Sequence, residues 1–165
     1  FGSRRGNPNT RGQGTVIKNL IIDKSCSIPG GLRTGGITGT GQNNEKEINI
    51  INCANEAEIN TPSKNAGGIT GGSNSNHPIW KLYNCVNTGT ITSTGDGESG
   101  GISGWLGDNG NTRVVNCINL GTVNGIDANG RGVFRHSSNA TVGVNCYDLS
   151  FNEMSFQYVD HGYTP

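Results

Sequence analysis

The pair Asn-Cys occurs four times in the chain, at Asn52-Cys53, Asn84-Cys85, Asn116-Cys117 and Asn145-Cys146, so the Asn positions are 32, 32 and 29 residues apart. A second marker keeps the same beat: Gly35-Gly36-Ile37-Thr38-Gly39, Gly67-Gly68-Ile69-Thr70-Gly71 and Gly100-Gly101-Ile102-Ser103-Gly104, with a worn copy at Gly132-Val133-Phe134. Two independent markers with one period define an internal repeat, and a repeat of this length is the signature of a solenoid or array.

Aligning the copies on the Asn turns the sequence into columns, with an upstream copy at Asn19. Two residues before the Asn stand Ile17, Ile50, Leu82, Val114 and Gly143; one after it stand Leu20, Cys53, Cys85, Cys117 and Cys146. Seven after it come Cys26, Ile59, Ile91, Val123 and then Asn152. Cys that trades places with aliphatic residues reads as a small buried hydrophobe. The invariant Asn column lies among these apolar columns, and a buried amide needs its hydrogen bonds met. Amides stacked about 4.8 Å apart can bond along a ladder at a bend of the coil. The glycine pairs are expected at tight corners with positive φ.

Short runs around Ile48 to Ile51, Lys81 to Asn84 and Arg113 to Val115 read as strands, and no apolar stripe of helical period runs beyond a turn or two. The expected fold is an all-β, right-handed parallel β-solenoid of about four coils, the hand following from the preference of parallel crossovers. Residues 1–14 are expected to form an N-terminal segment or partial coil, 15–150 the repeats, and 151–165 an aromatic-rich cap or docking segment. Only 31% of residues are hydrophobic and 28 are glycine. A solenoid tolerates such a composition because each coil shares a few inward residues with its neighbours.

The motif Gly-Gly-Ile-Thr/Ser-Gly, a variable stretch, then Asn-Cys-x-Asn-x-Gly-Thr-Ile/Val resembles the GLUG-type repeats of large bacterial surface and secreted proteins. Its second half reads Asn84-Cys85-Val86-Asn87-Thr88-Gly89-Thr90-Ile91 and Asn116-Cys117-Ile118-Asn119-Leu120-Gly121-Thr122-Val123. The opening Gly14-Thr15-Val16-Ile17-Lys18-Asn19-Leu20 and the closing Asn145-Cys146-Tyr147 fit the same pattern, which covers residues 12 to 154. The resemblance implies a β-solenoid stalk or adhesive module, extracellular or on the cell surface, and brings no catalytic residues. The coil from 35 to 66 departs from it, with Ala57-Glu58 where the others have Gly-Thr; a looser corner is expected there.

Twelve basic and twelve acidic residues balance, so nothing draws the chain toward nucleic acid or an anionic membrane. The longest apolar run, Leu20-Ile21-Ile22, is far short of a membrane span. Four of the five Cys share a column with parallel side chains and are expected as reduced thiols rather than bridges. No CxxC or close Cys-His pair suggests zinc; the Gly-rich stretches at 94–98 and 107–111 read as plain turns, with an incomplete calcium loop as the alternative. No cofactor is expected. The alternative reading, a polysaccharide-active lyase or hydrolase, needs converging carboxylates. The acidic residues recur in no column, and Arg113 with Asp108 is the nearest pair.

The variable segments after each Gly marker hold both Trp, and loops on one side of an array commonly carry the binding surface. Trp80 and Trp105, with Tyr83 and His77, are therefore the candidate contacts for a glycan or protein ligand. Asn139 heads the sequon Asn139-Ala140-Thr141, a glycan acceptor if the source is eukaryotic. Thr38, Thr70 and Ser103 share a column, too irregular for an ice-matching face. Head-to-tail stacking of solenoids into a fibre is a further expectation, since open heterologous contacts propagate.

Overall fold

A computed structural model describes residues 14–41, 47–73, 79–95, 99–106, 112–124, 133–136, 142–148 and 157–158. Every element among them is a strand, numbered here in chain order. Sheet A stacks β1 (Thr15–Lys18), β5 (Glu47–Ile51), β10 (Ile79–Tyr83), β15 (Arg113–Val115) and β19 (Val142–Val144). Sheet B stacks β2 (Ile21–Ile22), β6 (Ala54–Asn55), β11 (Val86–Asn87), β16 (Ile118–Asn119) and β20 (Tyr147–Asp148), with β21 (Gln157–Tyr158) added at its end. Sheet C holds β3 (Ser27–Pro29), β7 (Glu58–Thr61), β12 (Ile91–Ser93) and β17 (Val123–Asn124). A short sheet D pairs β8 (Ala66–Gly67) with β13 (Ser99–Gly100). Sheet E stacks β4 (Thr38–Gly41), β9 (Thr70–Ser73), β14 (Ser103–Leu106) and β18 (Phe134–His136).

All pairings are parallel except β20 with β21. The chain is thus a parallel β-solenoid whose repeats place like residues in register, such as Ile17, Ile50, Leu82, Val114 and Gly143. It makes about three full turns rather than four, because among the described residues the outermost coils carry incomplete sets of strands.

The Asn corner is set by backbone conformation. Asn19, Asn52, Asn84, Asn116 and Asn145 all have φ between 51 and 57°, the left-handed region that Asn enters more readily than other side-chain-bearing residues. From Asn52 onward, each Nδ2 donates to the Oδ1 of the preceding coil's Asn, at 3.3, 3.0, 3.1 and 3.1 Å along the stack. The expected ladder is present, but it is solvent-exposed rather than enclosed. The sharp bend throws the amide outward, and the following Cys inward.

The enclosed amides are three residues further on. Asn55, Asn87 and Asn119 are fully buried and bond in the opposite sense: Asn55 Nδ2 donates to Asn87 Oδ1 (2.9 Å), Asn87 to Asn119 (2.8 Å), and Asn119 to Asp148 (2.8 Å). Each Nδ2 also donates to the carbonyl two residues on, at Ala57, Gly89 or Gly121. This inner ladder explains the second glycine of the marker. A Cβ on Gly36, Gly68 or Gly101 would lie within 2.6 Å of the side chain of Asn55, Asn87 or Asn119 respectively. Close packing, rather than the positive φ expected from sequence, selects glycine there; Gly72 is the one glycine described with positive φ.

The core proper is the column Cys53, Cys85, Cys117 and Cys146 with Ile37, Ile50, Ile69, Leu82, Ile102 and Val114. Beside it, Ile59, Ala66, Ile91 and Val123 form a second cluster. Cys26 does not belong to the latter column: Ile28 pairs with Ile59, and Cys26 is exposed. Residues 23–26 connect β2 to β3 where only 56–57 connect β6 to β7, so counting from Asn19 slips by two. The same difference accommodates Ala57. A Cβ on Gly89 would meet the Ala57 carbonyl at 2.0 Å, whereas Ala57 lies over the longer turn of the first coil and is buried without a glycine.

Candidate functional site

The outer faces of sheets A and B meet at the exposed Asn corner, and together they make one continuous lateral surface. On the sheet A side, the residues preceding each Asn form the column Lys18, Ile51, Tyr83, Val115 and Val144. On the sheet B side, the residues two beyond it form the column Ile21, Ala54, Val86, Ile118 and Tyr147. From Ile51 and from Ala54 onward both columns are half-buried, so the surface presents flat apolar strips on either side of a polar ridge. Asn52, Asn84 and Asn116 each use one N–H and the oxygen within the ladder, which leaves each amide a second N–H and a second lone pair for a ligand. The rungs repeat at the strand spacing of about 4.8 Å.

Further out on sheet A lies a charged group. Lys81 Nζ is 2.7 Å from Glu47 Oε2, and Asn49 Nδ2 donates to Glu47 Oε1 at 2.8 Å. The hydrogen bond from Lys81, then that from Asn49, holds the Glu47 carboxyl below its usual range, and Glu47 in turn raises the Lys81 ammonium. Arg113, next to Lys81 in the same column, donates to the Thr112 carbonyl at 2.8 Å. The Lys81–Glu47 pair is half-buried at the surface, and a surface pair contributes little to stability.

The sequence-derived candidates do not converge. Trp80 is fully buried, on the inner face of β10 beside Ile48, with its backbone N–H 3.4 Å from Thr112 Oγ1. It is a core residue and not a ligand contact, because it stands on β10 rather than in a loop. Tyr83, three residues on, faces outward on the lateral surface. Trp105 is half-buried on β14 of sheet E, a different side of the coil. His77, Asn139 and Asp108 lie outside the described residues, as does most of 151–165. The Thr38, Thr70 and Ser103 column is real but buried, so it cannot face ice.

Cys53, Cys85, Cys117 and Cys146 form no disulfide and are buried, their thiols donating to carbonyls of their own and the preceding coil, as Cys146 does to Val114 at 3.2 Å. Burial pushes the Cys53 thiol up. Hydrogen bonding with Cys146, then with Cys85, together with burial, raises Cys117 well above the ordinary range. The same hydrogen bond from Cys117 lowers its partner Cys85, but all four thiols of the column are enclosed and so out of reach of a substrate. Among the described carboxylates, Glu47 lies on sheet A, Glu56 between β6 and β7, Glu58 on sheet C, Asp23 in an exposed turn, and Asp148 is buried in the inner ladder. No group of three potential metal ligands exists among the described residues, and no helix among them is long and apolar enough to cross a membrane.

Sequence reading overlooked the inner ladder, although its signal was present: the second Asn of Asn-Cys-x-Asn recurs at Asn55, Asn87 and Asn119, with Asp148 in the last copy. Comparison of the chain with protein-family models, with curated proteins and with solved structures finds no match.

Proposed function

We propose that the chain is a non-catalytic structural or adhesive module of an extracellular or cell-surface protein, with the Asn ridge and its flanking strips as the contact surface. One observation carries this reading. Five exposed amides in a straight row offer repeated hydrogen bonds, and Tyr83 and Tyr147 offer half-exposed rings beside them. Amphipathic rings with adjacent amides suit a glycan, whose sugars have apolar faces and hydroxyl edges. The resemblance to GLUG-type repeats supports the cell-surface assignment.

Co-sedimentation of the full chain with a panel of insoluble polysaccharides tests the adhesive role. Binding to at least one polymer is expected, weakened at least tenfold by Tyr83→Ala and unaffected by Trp105→Ala, which lies on another sheet. Binding indifferent to Tyr83→Ala would place the contact elsewhere. Reproducible depolymerisation by the purified chain would replace the module reading with the lyase or hydrolase alternative.

A further inference from the structure

Four thiols stand in one column inside the coil. Cys53, Cys85, Cys117 and Cys146 each follow an Asn of the outer ladder and are exposed by 1% or less, among Ile50, Ile69, Leu82, Ile102 and Val114. In the middle coils Tyr83 pairs with Val115 and Val86 with Ile118, so Cys85 and Cys117 stack at the strand spacing of about 4.8 Å. Their thiols reach carbonyls at 3.3 and 3.5 Å for Cys85, and at 3.4 and 3.7 Å for Cys117. The two thiols also hydrogen-bond to each other. Bonding with Cys146, then with Cys85, raises Cys117, and the bond from Cys117 lowers Cys85. Cys117 is therefore the donor, and Cys85 the sulfur placed to carry charge.

A column restricts coordination chemistry. Zinc takes four ligands at tetrahedral corners, and no group of three potential metal ligands exists among the described residues. Hard ions need several oxygen ligands. Stacked sulfurs offer two ligands on opposite sides of one point, which suits a filled-shell monovalent ion, and soft thiolate favours Cu(I) among such ions. A metal–thiolate bond of about 2.3 Å puts two sulfurs in line about 4.6 Å apart, close to the rung spacing of about 4.8 Å. The ion thus fits between the sulfurs without a cavity of its own. One thiolate, one Cu(I) and one neutral thiol sum to zero, so no net charge enters the apolar interior, where it would be costly.

We propose that the column is a soft-metal site that takes one Cu(I) between Cys85 and Cys117. On binding, the Cys85 S–H bond breaks, its proton leaves to solvent and its sulfur bonds the metal. Cys117 gives a sulfur lone pair and keeps its proton, which turns to the Val115 carbonyl that the thiol already reaches. No electron is transferred. The thiols are closed off in the folded chain, so the ion enters as the coils close, and loading is coupled to folding. This inference stands apart from the adhesive reading and uses none of its surface.

Refolding the full chain anaerobically with Cu(I) buffered by a chromogenic chelator tests the site, in a Cys26→Ser background that removes the exposed thiol. One copper per chain is expected, with a melting temperature above that of the metal-free chain and X-ray absorption showing two sulfur neighbours. Two double variants, each lacking two core thiols, check the geometry. Cys53→Ala with Cys146→Ala leaves the adjacent pair and should keep the ion. Cys53→Ala with Cys117→Ala leaves Cys85 and Cys146 two rungs apart, about 9.6 Å, and should bind at least a hundredfold more weakly. Should either double variant fail to fold, X-ray absorption of the four-thiol chain decides: oxygen or nitrogen neighbours, or more than two sulfurs, would overturn the proposal. So would a chain that binds no copper, equal affinity in the two double variants, or bound copper that leaves the melting temperature unchanged.

Discussion

Truncating one rung of the inner ladder, Asn87→Ala, should be among the most damaging changes in the chain. Asn87 makes three buried hydrogen bonds: it donates to Gly89 O at 2.9 Å and Asn119 Oδ1 at 2.8 Å, and accepts from Asn55 Nδ2 at 2.9 Å. Each is worth about 1 kcal/mol net, and a carbonyl left unsatisfied in the interior costs about a further 1 kcal/mol. Asn55 keeps its bond to Ala57 O and Asn119 Oδ1 still accepts from the Gly121 N–H, so the loss stays near the sum of the bonds removed, about 3–4 kcal/mol. For a domain of this size that is a fall in Tm of roughly 6–16 °C. The control is Asn84→Gly on the outer ladder. There water replaces the lost amide contacts, glycine accepts the positive φ freely, and the cost should stay below about 1 kcal/mol. Urea unfolding followed by far-ultraviolet circular dichroism measures both, with equal m-values required for the comparison. If Asn87→Ala cost no more than Asn84→Gly, the division into an enclosed ladder and a solvent-facing one would be wrong.

Thiol labelling should be equally selective. One fast-reacting cysteine, Cys26, is expected in the native chain, with Cys53, Cys85, Cys117 and Cys146 reacting only on unfolding; a second fast thiol would show that the column is accessible. Gly101→Ala should be severely destabilising because its Cβ would lie 2.1 Å from Asn119 Cγ and 2.3 Å from its Cβ. In the Asn119→Gly background, which is itself destabilised, the added cost of Gly101→Ala should fall by at least about 1 kcal/mol. Strict additivity in that double-mutant cycle would show that the amide is not what excludes the methyl group.

The period of the repeat was enough to specify parallel register. Once like residues recur about every 32 positions, stacking them in columns satisfies strand pairing and core packing together, and Cys53, Cys85, Cys117 and Cys146 fall in line as buried hydrophobes. A period says which residues share a column, however, and not which way the column points. Strands here are two to five residues long, too short for alternation to set a phase, and each corner resets it. The left-handed turn at Asn84 sends its own amide to solvent and that of Asn87 to the interior, a distinction made by backbone φ and invisible in two identical letters. Trp80 was misplaced for the same reason: it stands outside the recurring motif, and only the pairing of β10 with β5 turns it inward. The length of the 23–26 turn, the fit of glycine against the inner amides, and the bond from Asn119 to Asp148 are likewise decided by contacts between coils. Those contacts join residues some thirty positions apart, where the neighbouring coil supplies both the partner and the steric limit.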